Sequence, residues 1–150
     1  MKFRFIWIGK TRDRNWRNLQ EDYLQRLAHF VKFEITEIRE SAAHEGSEIE
    51  GKRILENLNQ SNFVCLLDIK GNEIGSRELA KQIEKWQNRS FKEIAFVIGG
   101  ASGVSCKVVE KADFSLSLSR FTLTHEMARV VLIEQIYRAY TIIKGFPYQK

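Results

Sequence analysis

The feature that most constrains the fold of this chain is an apolar run that ends in a glycine-rich corner. Residues 94–98 read IAFVI, which has the length and composition of a strand buried on both faces of a sheet. Residues 99–103, GGASG, follow at once. In open α/β sheets ligands bind at the carboxyl ends of the strands, where loops present backbone groups that no neighbouring strand has bonded. The corner is therefore the first candidate for a binding site.

A second junction between a strand and a loop follows further along the chain. Residues 114–118 form another strand-like run, and residues 119–124, SRFTLT, lead from it into a long helical segment. Because the carboxyl ends of parallel strands meet at one edge of a sheet, we expect this loop to lie beside the glycine corner. Together they predict a pocket built mostly from main chain.

Strand and helix patterns alternate along the whole chain. Strand patterns cover residues 2–8, 33–38, 63–69, 94–98 and 114–118, and helical patterns cover residues 15–30, 47–58, 76–86, 105–111 and 124–143. The alternation predicts an α/β fold, with a mostly parallel sheet and helices on both faces. The length of 150 residues is that of one domain, so we expect residues 1–150 to form a single domain.

Local signals add detail to this outline. Ser47 and Glu50 have the spacing of a capping box, and Ser76 is predicted to cap the next helix. The third strand is expected to end in a loop at residues 68–71. In the first helix, the side chains predicted to form one buried stripe are Trp16, Leu19, Tyr23, Leu27 and Phe30.

The formal net charge of +5 suits a polyanionic partner. Part of the excess lies in residues 10–17, where Lys10, Arg12, Arg14 and Arg17 accompany Trp16. A basic loop with one aromatic side chain is suited to contact phosphates and a base. It is equally typical of a solvated loop whose tryptophan covers the core, and the sequence leaves both interpretations open.

The sequence lacks the signals of a membrane protein, of a secreted protein and of a metal site. No stretch approaches the roughly 20 apolar residues of a membrane span, and the first residues turn polar too quickly for a signal peptide. We therefore expect a cytoplasmic protein with no membrane partner. Cys65 and Cys106 have no histidine or cysteine at ligand spacing nearby, which predicts reduced thiols and no metal site.

The last predicted helix, residues 124–143, carries apolar side chains around most of its circumference. Such a helix needs partners on two sides. One partner is the sheet of its own chain. The other is either a second subunit, packed about a twofold axis, or a further helix of the same domain, and we favour the dimer because a chain of this length has few layers.

The glycine corner does not fit the common phosphate-binding motifs. Its glycines are not spaced as in the dinucleotide fingerprint, and no Gly-Lys-Ser/Thr phosphate-binding loop is found. A nicotinamide or nucleoside-triphosphate enzyme is therefore disfavoured. A flat slot lined by main chain is suited to a nucleoside-like ligand, although glycine clusters of this kind also form turns that bind nothing.

Five motifs taken together closely resemble the RlmH family of SPOUT-class methyltransferases. They are LDIKG at residues 67–71, FVIGGASG at residues 96–103, LSLSRFTLTH at residues 116–125, R-V-x-x-x-E-Q-x-Y-R-A at residues 129–139 and G-x-x-Y at residues 145–148. The resemblance runs the whole length and is densest from residue 63 onward. It implies methylation of N3 of a pseudouridine in 23S ribosomal RNA, as part of the ribosome, by a homodimer.

The resemblance also implies a fold and a cofactor. The fold is a SPOUT-type α/β knot, in which the C-terminal part of the chain, roughly residues 63–150, threads into a trefoil knot that binds the cofactor. The cofactor is S-adenosyl-L-methionine. By position its contacts are expected at Leu67, Gly99, Leu118, Ser119, Arg120, Phe121, Thr122 and Leu123.

Candidate catalytic residues follow from the same resemblance. His125, at the start of the last helix, is expected to accept the N3 proton or to orient the substrate; the alternative is a structural histidine that caps the helix. Arg129, one turn further, is expected to stabilise charge on the base or to grip a phosphate. Tyr148 is expected to stack on the target base, and Lys150 to hold its phosphate. Arg138 is ambiguous: it has either a role in the site or only a structural pair with Glu134.

Two positions depart from the family pattern. Thr124 stands where members commonly carry proline before the histidine, and a threonine can cap the helix instead. Gln149 stands where the tail usually carries histidine, and glutamine cannot accept a proton, which favours His125 as the base. Gln149 also motivates an alternative, a ribosome-associated RNA-binding module that kept the fold and lost the activity. Related knot enzymes that methylate a ribose or a tRNA guanine carry different loop motifs.

Overall fold

Five parallel strands form one sheet. The computed structural model describes residues 1–42, 45–58, 62–101 and 103–148. The strands are β1 (Lys2–Ile8), β2 (Lys32–Ile38), β3 (Asn62–Glu73), β4 (Glu93–Ile98) and β5 (Phe114–Ser117). The helices are α1 (Arg14–Leu27), α2 (Gly46–Asn57), α3 (Ser76–Asn88), α4 (Cys106–Lys111) and α5 (His125–Lys144). The strand order is β2-β1-β4-β3-β5 and every pair is parallel, so the predicted α/β class is confirmed.

Helices cover both faces of the sheet, as predicted, and each face has its own core. On one face Phe3, Phe5 and Trp7 of β1 pack with buried side chains of α1, α3 and α5. On the other face Ile6 and Ile8 pack with buried side chains of α2 and α4. This division follows from the alternation of side chains along a strand. The central strand β4 is buried at every position, which its apolar sequence predicts.

Several local predictions are wrong in part. In α1, Leu27 of the predicted stripe is buried and Tyr23 and Phe30 pack against the core, but Leu19 is exposed. Gln20 and Leu24, which were outside the predicted stripe, are buried instead. Helix α2 begins at Gly46, so Ser47 lies inside it and does not cap it. Ser76 likewise lies inside α3, where its hydroxyl donates to Gln135 instead. Strand β3 continues through residues 68–71, which were predicted to form a loop.

Helix α5 lies between α1 and α3 and packs on the sheet. Its buried apolar residues include Leu132, Ile133, Ile136 and Tyr140, all in the core shared with those two helices. The apolar circumference that suggested a second subunit is thus largely covered within one chain. The Thr124 hydroxyl accepts a hydrogen bond from the Met127 N–H, so threonine caps the helix as expected, and Gly145 ends it in the left-handed region at φ 72°.

The two cysteines lie in different surroundings. Cys65 is buried in β3 and Cys106 is exposed at the start of α4, and both are free thiols. Within the described ranges no three His, Cys, Asp or Glu side chains come together as metal ligands would. In the same ranges, none of the helices combines the length and apolar character needed to cross a bilayer.

Candidate functional site

A cleft opens at the carboxyl-terminal edge of the sheet, where β3, β4 and β5 end. Its volume is about 480 Å³, within the range of small-molecule sites. The described residues that line it are Leu67, Asp68, Ile69, Ile98, Gly99, Gly100, Ala101, Gly103, Val104, Leu116, Leu118, Ser119, Phe121, Thr122, Leu123, Thr124, His125 and Ala128. The three segments that the sequence singled out, around residues 67, 99 and 118–123, therefore meet in one place.

The glycine corner forms one wall of the cleft through a tight turn. The Gly103 N–H donates to the Gly100 carbonyl over 3.0 Å, and Gly103 has a φ of 85°, in the left-handed region that favours glycine. At Gly99 a Cβ would lie 2.7 Å from the Val104 side chain and 3.1 Å from the Gly103 carbonyl oxygen. The corner thus requires its glycines for space and conformation. Ser102, within the motif, lies outside the described residues.

A bulge in β3 forms the second wall. The pairing of β3 with β5 shifts register between Leu67 and Asn72, so that Leu116 pairs with both. The Asp68 carboxylate accepts a hydrogen bond from the Lys70 N–H over 3.0 Å and stabilises the turn of the bulge. Gly71 packs directly on β5, because a Cβ there would lie 2.7 Å from the Ser115 carbonyl carbon. The bulge turns residues 68 and 69 toward the cleft.

The loop after β5 forms the third wall and is held by local hydrogen bonds. The Phe121 N–H donates to the Ser119 hydroxyl over 2.9 Å, and the Ser117 hydroxyl donates to the Ser119 carbonyl over 3.1 Å. Phe121 lines the cleft with 84% of its surface exposed. The Arg120 side chain does not line the cleft: its Nε donates to Glu73 over 2.6 Å, and the carboxylate raises the arginine pKa.

The three predicted catalytic residues are not brought together within one chain. His125 is exposed, lies at the first position of α5 and lines the cleft. Tyr148 donates from its hydroxyl to Glu134 over 2.9 Å. Glu134 is nine residues beyond His125, about 13 Å along a helix at 1.5 Å per residue. Tyr148 therefore lies far from the histidine of its own chain.

Tyr148 is held in a cluster of α1 and α5 side chains. Its ring packs edge-on against Tyr137, and the Arg138 guanidinium lies 4.9 Å from its centroid. Burial and the bonds to Tyr23 and Glu134 raise the Tyr148 pKa. Arg138 Nε donates to Glu134 over 3.0 Å, so the structural pair is present. The remaining tail positions, Gln149 and the predicted phosphate contact Lys150, lie outside the described residues.

Arg129 is fully buried and does not line the cleft. Its guanidinium donates to the Ile8 carbonyl over 2.6 Å and to the Thr11 hydroxyl over 2.9 Å, and lies 4.9 Å from the centroid of Trp7. Desolvation lowers its pKa, and neighbouring carboxylates, Glu126 first, offset part of that shift. The contact with substrate that the sequence predicted for Arg129 stays a prediction. Arg129 ties α5 to the end of β1.

The basic loop at residues 10–17 lies beside the start of α5. The Glu126 carboxylate accepts hydrogen bonds from the backbone N–H groups of Arg12 and Asp13, and Asp13 in turn caps α1. Lys10, Arg12 and Arg17 line a second cavity of about 490 Å³. Its other lining residues include Glu21 and Glu37, and Arg12 pairs with Glu40 over 3.4 Å. Acidic side chains thus offset much of the positive charge that the sequence suggested.

The lining of the first cleft is mostly apolar. It combines glycines and aliphatic side chains with Phe121 and a few polar residues, which is the composition of a small-molecule site. Of the described lining residues only Asp68 is acidic, and none is a lysine or arginine, so the cleft disfavours phosphate groups. Asp68 belongs to the LDIKG motif, but the sequence alone predicted no role for it. The register of the bulge, which a sequence pattern does not encode, brings it to the cleft.

Comparison with known proteins gives one family and close relatives. The family described as "Predicted SPOUT methyltransferase" matches residues 1–149. The chain is similar to the protein named Ribosomal RNA large subunit methyltransferase H of Limosilactobacillus reuteri (strain DSM 20016), with 41% identity over 159 aligned positions. It is 38% identical to the protein of the same name from Streptococcus pneumoniae (strain CGSP14). Both alignments cover 100% of each chain.

Proposed function

The chain belongs to the SPOUT methyltransferase family, and from this premise we propose that it transfers a methyl group from S-adenosyl-L-methionine to ribosomal RNA. The proposed acceptor is N3 of a pseudouridine in 23S RNA, reached on the ribosome in the cytoplasm. Two relatives that share its full length are named Ribosomal RNA large subunit methyltransferase H. Residues 1–150 are proposed to act as one methyltransferase domain, knotted in its C-terminal part.

The observation that carries this proposal is the convergence of three loops on one cleft of about 480 Å³. Of the eight residues proposed to contact the donor, seven line that cleft; Arg120 is the exception. The lining fits S-adenosylmethionine, because glycine backbone suits the adenosine and the cleft contains no cationic side chain among its described residues. When bound, the donor supplies an activated methyl group on a sulfonium.

His125 is the residue proposed to act on the acceptor base. The N3 of a pseudouridine carries a proton that must leave as the methyl group arrives, and an imidazole near neutral pH is suited to take it. His125 is exposed at the mouth of the cleft, at the amino end of α5.

A homodimer is proposed to complete the substrate site. Within one chain Tyr148 is bonded to Glu134, about 13 Å along α5 from His125, so a contribution of the tail to the same cleft requires a second copy. Phe121, with 84% of its surface exposed at the rim, is also suited to be covered by a partner or by RNA. Light scattering on the purified protein tests the subunit number directly.

The deciding experiment measures methyl transfer to ribosomes that lack the modification. Purified protein with labelled S-adenosylmethionine is expected to methylate intact ribosomes, and mass spectrometry of the 23S RNA should locate the group on a pseudouridine base. His125→Ala is expected to lower the rate by about 10²- to 10⁴-fold, the usual contribution of a general base. Ribosome binding without any transfer by the unaltered protein would favour the alternative, an RNA-binding module that has lost its activity.

A further inference from the structure

The bulge of β3 brings one acidic residue to a cleft whose other described lining residues include no Asp, Glu, Lys or Arg. Asp68 is half-buried, and it is the only acidic residue among the described residues that line the cleft. Most of the described lining residues are apolar or glycine, and such surroundings screen a charge less well than water does. We propose that Asp68 recognises the positive charge of the methyl donor; this inference rests on the function proposed above.

The carboxylate has the capacity for such a contact. One oxygen, Oδ1, accepts the Lys70 N–H over 3.0 Å, and among the described residues Oδ2 has no protein partner. An ionised carboxylate can accept several hydrogen bonds, so a ligand can be bound without breaking the turn of the bulge. The local turn is fixed by Oδ1 and by the packing of Gly71 on Ser115, and Oδ2 takes no part in either contact.

A contact with the positive charge of the donor would distinguish it from uncharged analogues. S-adenosylmethionine carries a sulfonium, an ammonium and a carboxylate, so its net charge is positive, whereas S-adenosylhomocysteine, the product, lacks the sulfonium. In 5′-deoxy-5′-methylthioadenosine neither cation is present. A carboxylate that faces the donor therefore strengthens binding of the cationic molecule and leaves the uncharged analogue unaffected. Asp68 would in this way help the cleft to select its donor.

The experiment compares the three molecules on two variants by calorimetry. Asp68→Asn removes the charge but keeps a side-chain oxygen that can accept the Lys70 N–H, so the bulge is retained. The matched control is Asp113→Asn, because Asp113 also accepts a backbone N–H of β3, that of Val64 over 2.8 Å, and does not line the cleft. Neither substitution changes the size of the side chain appreciably.

For Asp68→Asn we expect the dissociation constant of S-adenosylmethionine to rise about tenfold, the order of one charge pair in a partly screened site. The constant for methylthioadenosine should change less than about twofold. If S-adenosylhomocysteine also binds Asp68→Asn more weakly, the contact is with the ammonium. If its affinity is unchanged, the contact is with the sulfonium. Either result supports the inference.

The inference would be overturned if Asp68→Asn raised the dissociation constant of methylthioadenosine as much as that of S-adenosylmethionine. It would also be overturned if the dissociation constant of S-adenosylmethionine did not change. Failure of the unaltered protein to bind S-adenosylmethionine would instead contradict the proposed function.

Discussion

The guanidinium of Arg129 donates to the backbone carbonyl oxygen of Ile8 over 2.6 Å, which ties the second turn of α5 to the carboxyl end of β1. The hydrogen bonds continue from Arg129 to Thr11 and from Thr11 to Gln20 over 2.9 and 2.7 Å, and all three side chains are buried. The turn of α5 that follows His125 is therefore held against the sheet. From this arrangement we propose that Arg129 positions His125.

We expect Arg129→Lys to destabilise the protein by about 1–3 kcal/mol. The guanidinium donates one hydrogen bond to the Ile8 carbonyl and one to the Thr11 hydroxyl, and a lysine ammonium cannot make both with the same geometry. One of the two buried oxygens therefore loses its donor. Urea unfolding measures the loss, and methyl transfer should fall with it because His125 is less firmly held. Arg77→Lys, on the exposed side of α3, is the control and should change stability by less than about 0.5 kcal/mol.

The same variant separates positioning from direct catalysis. If Arg129→Lys kept full stability and full donor affinity but lost activity, the arginine would have to act on the substrate, as its sequence position suggested. Unchanged activity with unchanged stability would contradict both roles.

We expect Gly71→Ala to disrupt the β3 bulge. A Cβ at this position would lie 2.7 to 2.9 Å from three main-chain atoms of Ser115 and Leu116, and backbone atoms in a paired strand cannot move aside cheaply. The expected loss of stability is about 1–3 kcal/mol, together with weaker donor binding because Leu67 and Asp68 shift. Thermal unfolding and calorimetry measure the two effects.

Gly75→Ala is the matched control for that variant. A Cβ at Gly75 would meet only the end of the flexible Glu78 side chain, which can rotate away. Gly75 is the N-cap of α3, where alanine is less favourable than glycine, so the loss of stability should be up to about 1 kcal/mol and smaller than that of Gly71→Ala. If Gly71→Ala behaved in the same way, the close packing of the bulge would not matter for the cleft.

The sequence predicted the strands better than the side chains that act at their ends. Strands β1, β2, β4 and β5 match the predicted segments within a residue. The apolar run of β4 marks a strand buried on both faces, whereas the edge strand β2 was found from its spaced apolar residues. The predicted end of β3 was wrong, since the bulge depends on how β3 pairs with β5, and register is a property of two segments. Asp68 was missed as a candidate for that reason.

The placement of Arg129 shows a second limit of sequence reasoning. His125 and Arg129 are four residues apart and were expected to share a face. A difference of about 40° around the helix is enough to leave His125 at the cleft and to turn Arg129 onto β1. The helical pattern gives the separation of the two side chains, but the tilt of α5 against the sheet decides what each one contacts.

We expect one thiol per chain to react with a disulfide reagent in the folded protein. Cys106 is exposed, whereas Cys65 is fully buried and burial raises the pKa of its thiol far above the ordinary value of 9.0. The thiolate is the reactive form, so Cys65 should react only after unfolding. In Cys106→Ser the folded protein should not react at all, and rapid reaction of that variant would show that β3 opens to solvent.

Cys65 also links stability to pH. Its pKa is raised in the folded state, so below the ordinary value of 9.0 the thiol is protonated in both states and its contribution to stability is complete. Above that value the unfolded chain releases the proton and the folded chain does not, so the free energy of unfolding should fall by about 1.4 kcal/mol per pH unit from this group. Urea unfolding at pH 8 and pH 10 should show a smaller fall in Cys65→Ala than in the unaltered protein.

We expect Tyr148 to ionise at higher pH in the folded protein than in the unfolded chain. Burial, the hydrogen bond to Tyr23 and the bond that its hydroxyl donates to Glu134 all raise its pKa above the ordinary value of 10.0. A phenolate could not donate to Glu134 and would be repelled by its carboxylate, so the tail should release from α5 as the pH rises through the folded-state pKa. Below pH 10 the phenol is protonated in both the folded and the unfolded state, so the contribution of the docked Tyr148 side chain to stability is fully present.

The measurement is the ultraviolet titration of tyrosinate, taken as the difference between the unaltered protein and Tyr148→Phe. In the folded state the midpoint of the difference curve should lie clearly above 10, and in concentrated urea it should return to about 10. Glu134→Gln is the informative second variant, because it removes the negative charge while it leaves an oxygen acceptor for the hydroxyl, and it should lower the Tyr148 midpoint. A folded-state midpoint at the ordinary value would show that the tail is not docked on α5 in solution, and that Tyr148 is free to reach a cleft without first breaking its bond to Glu134.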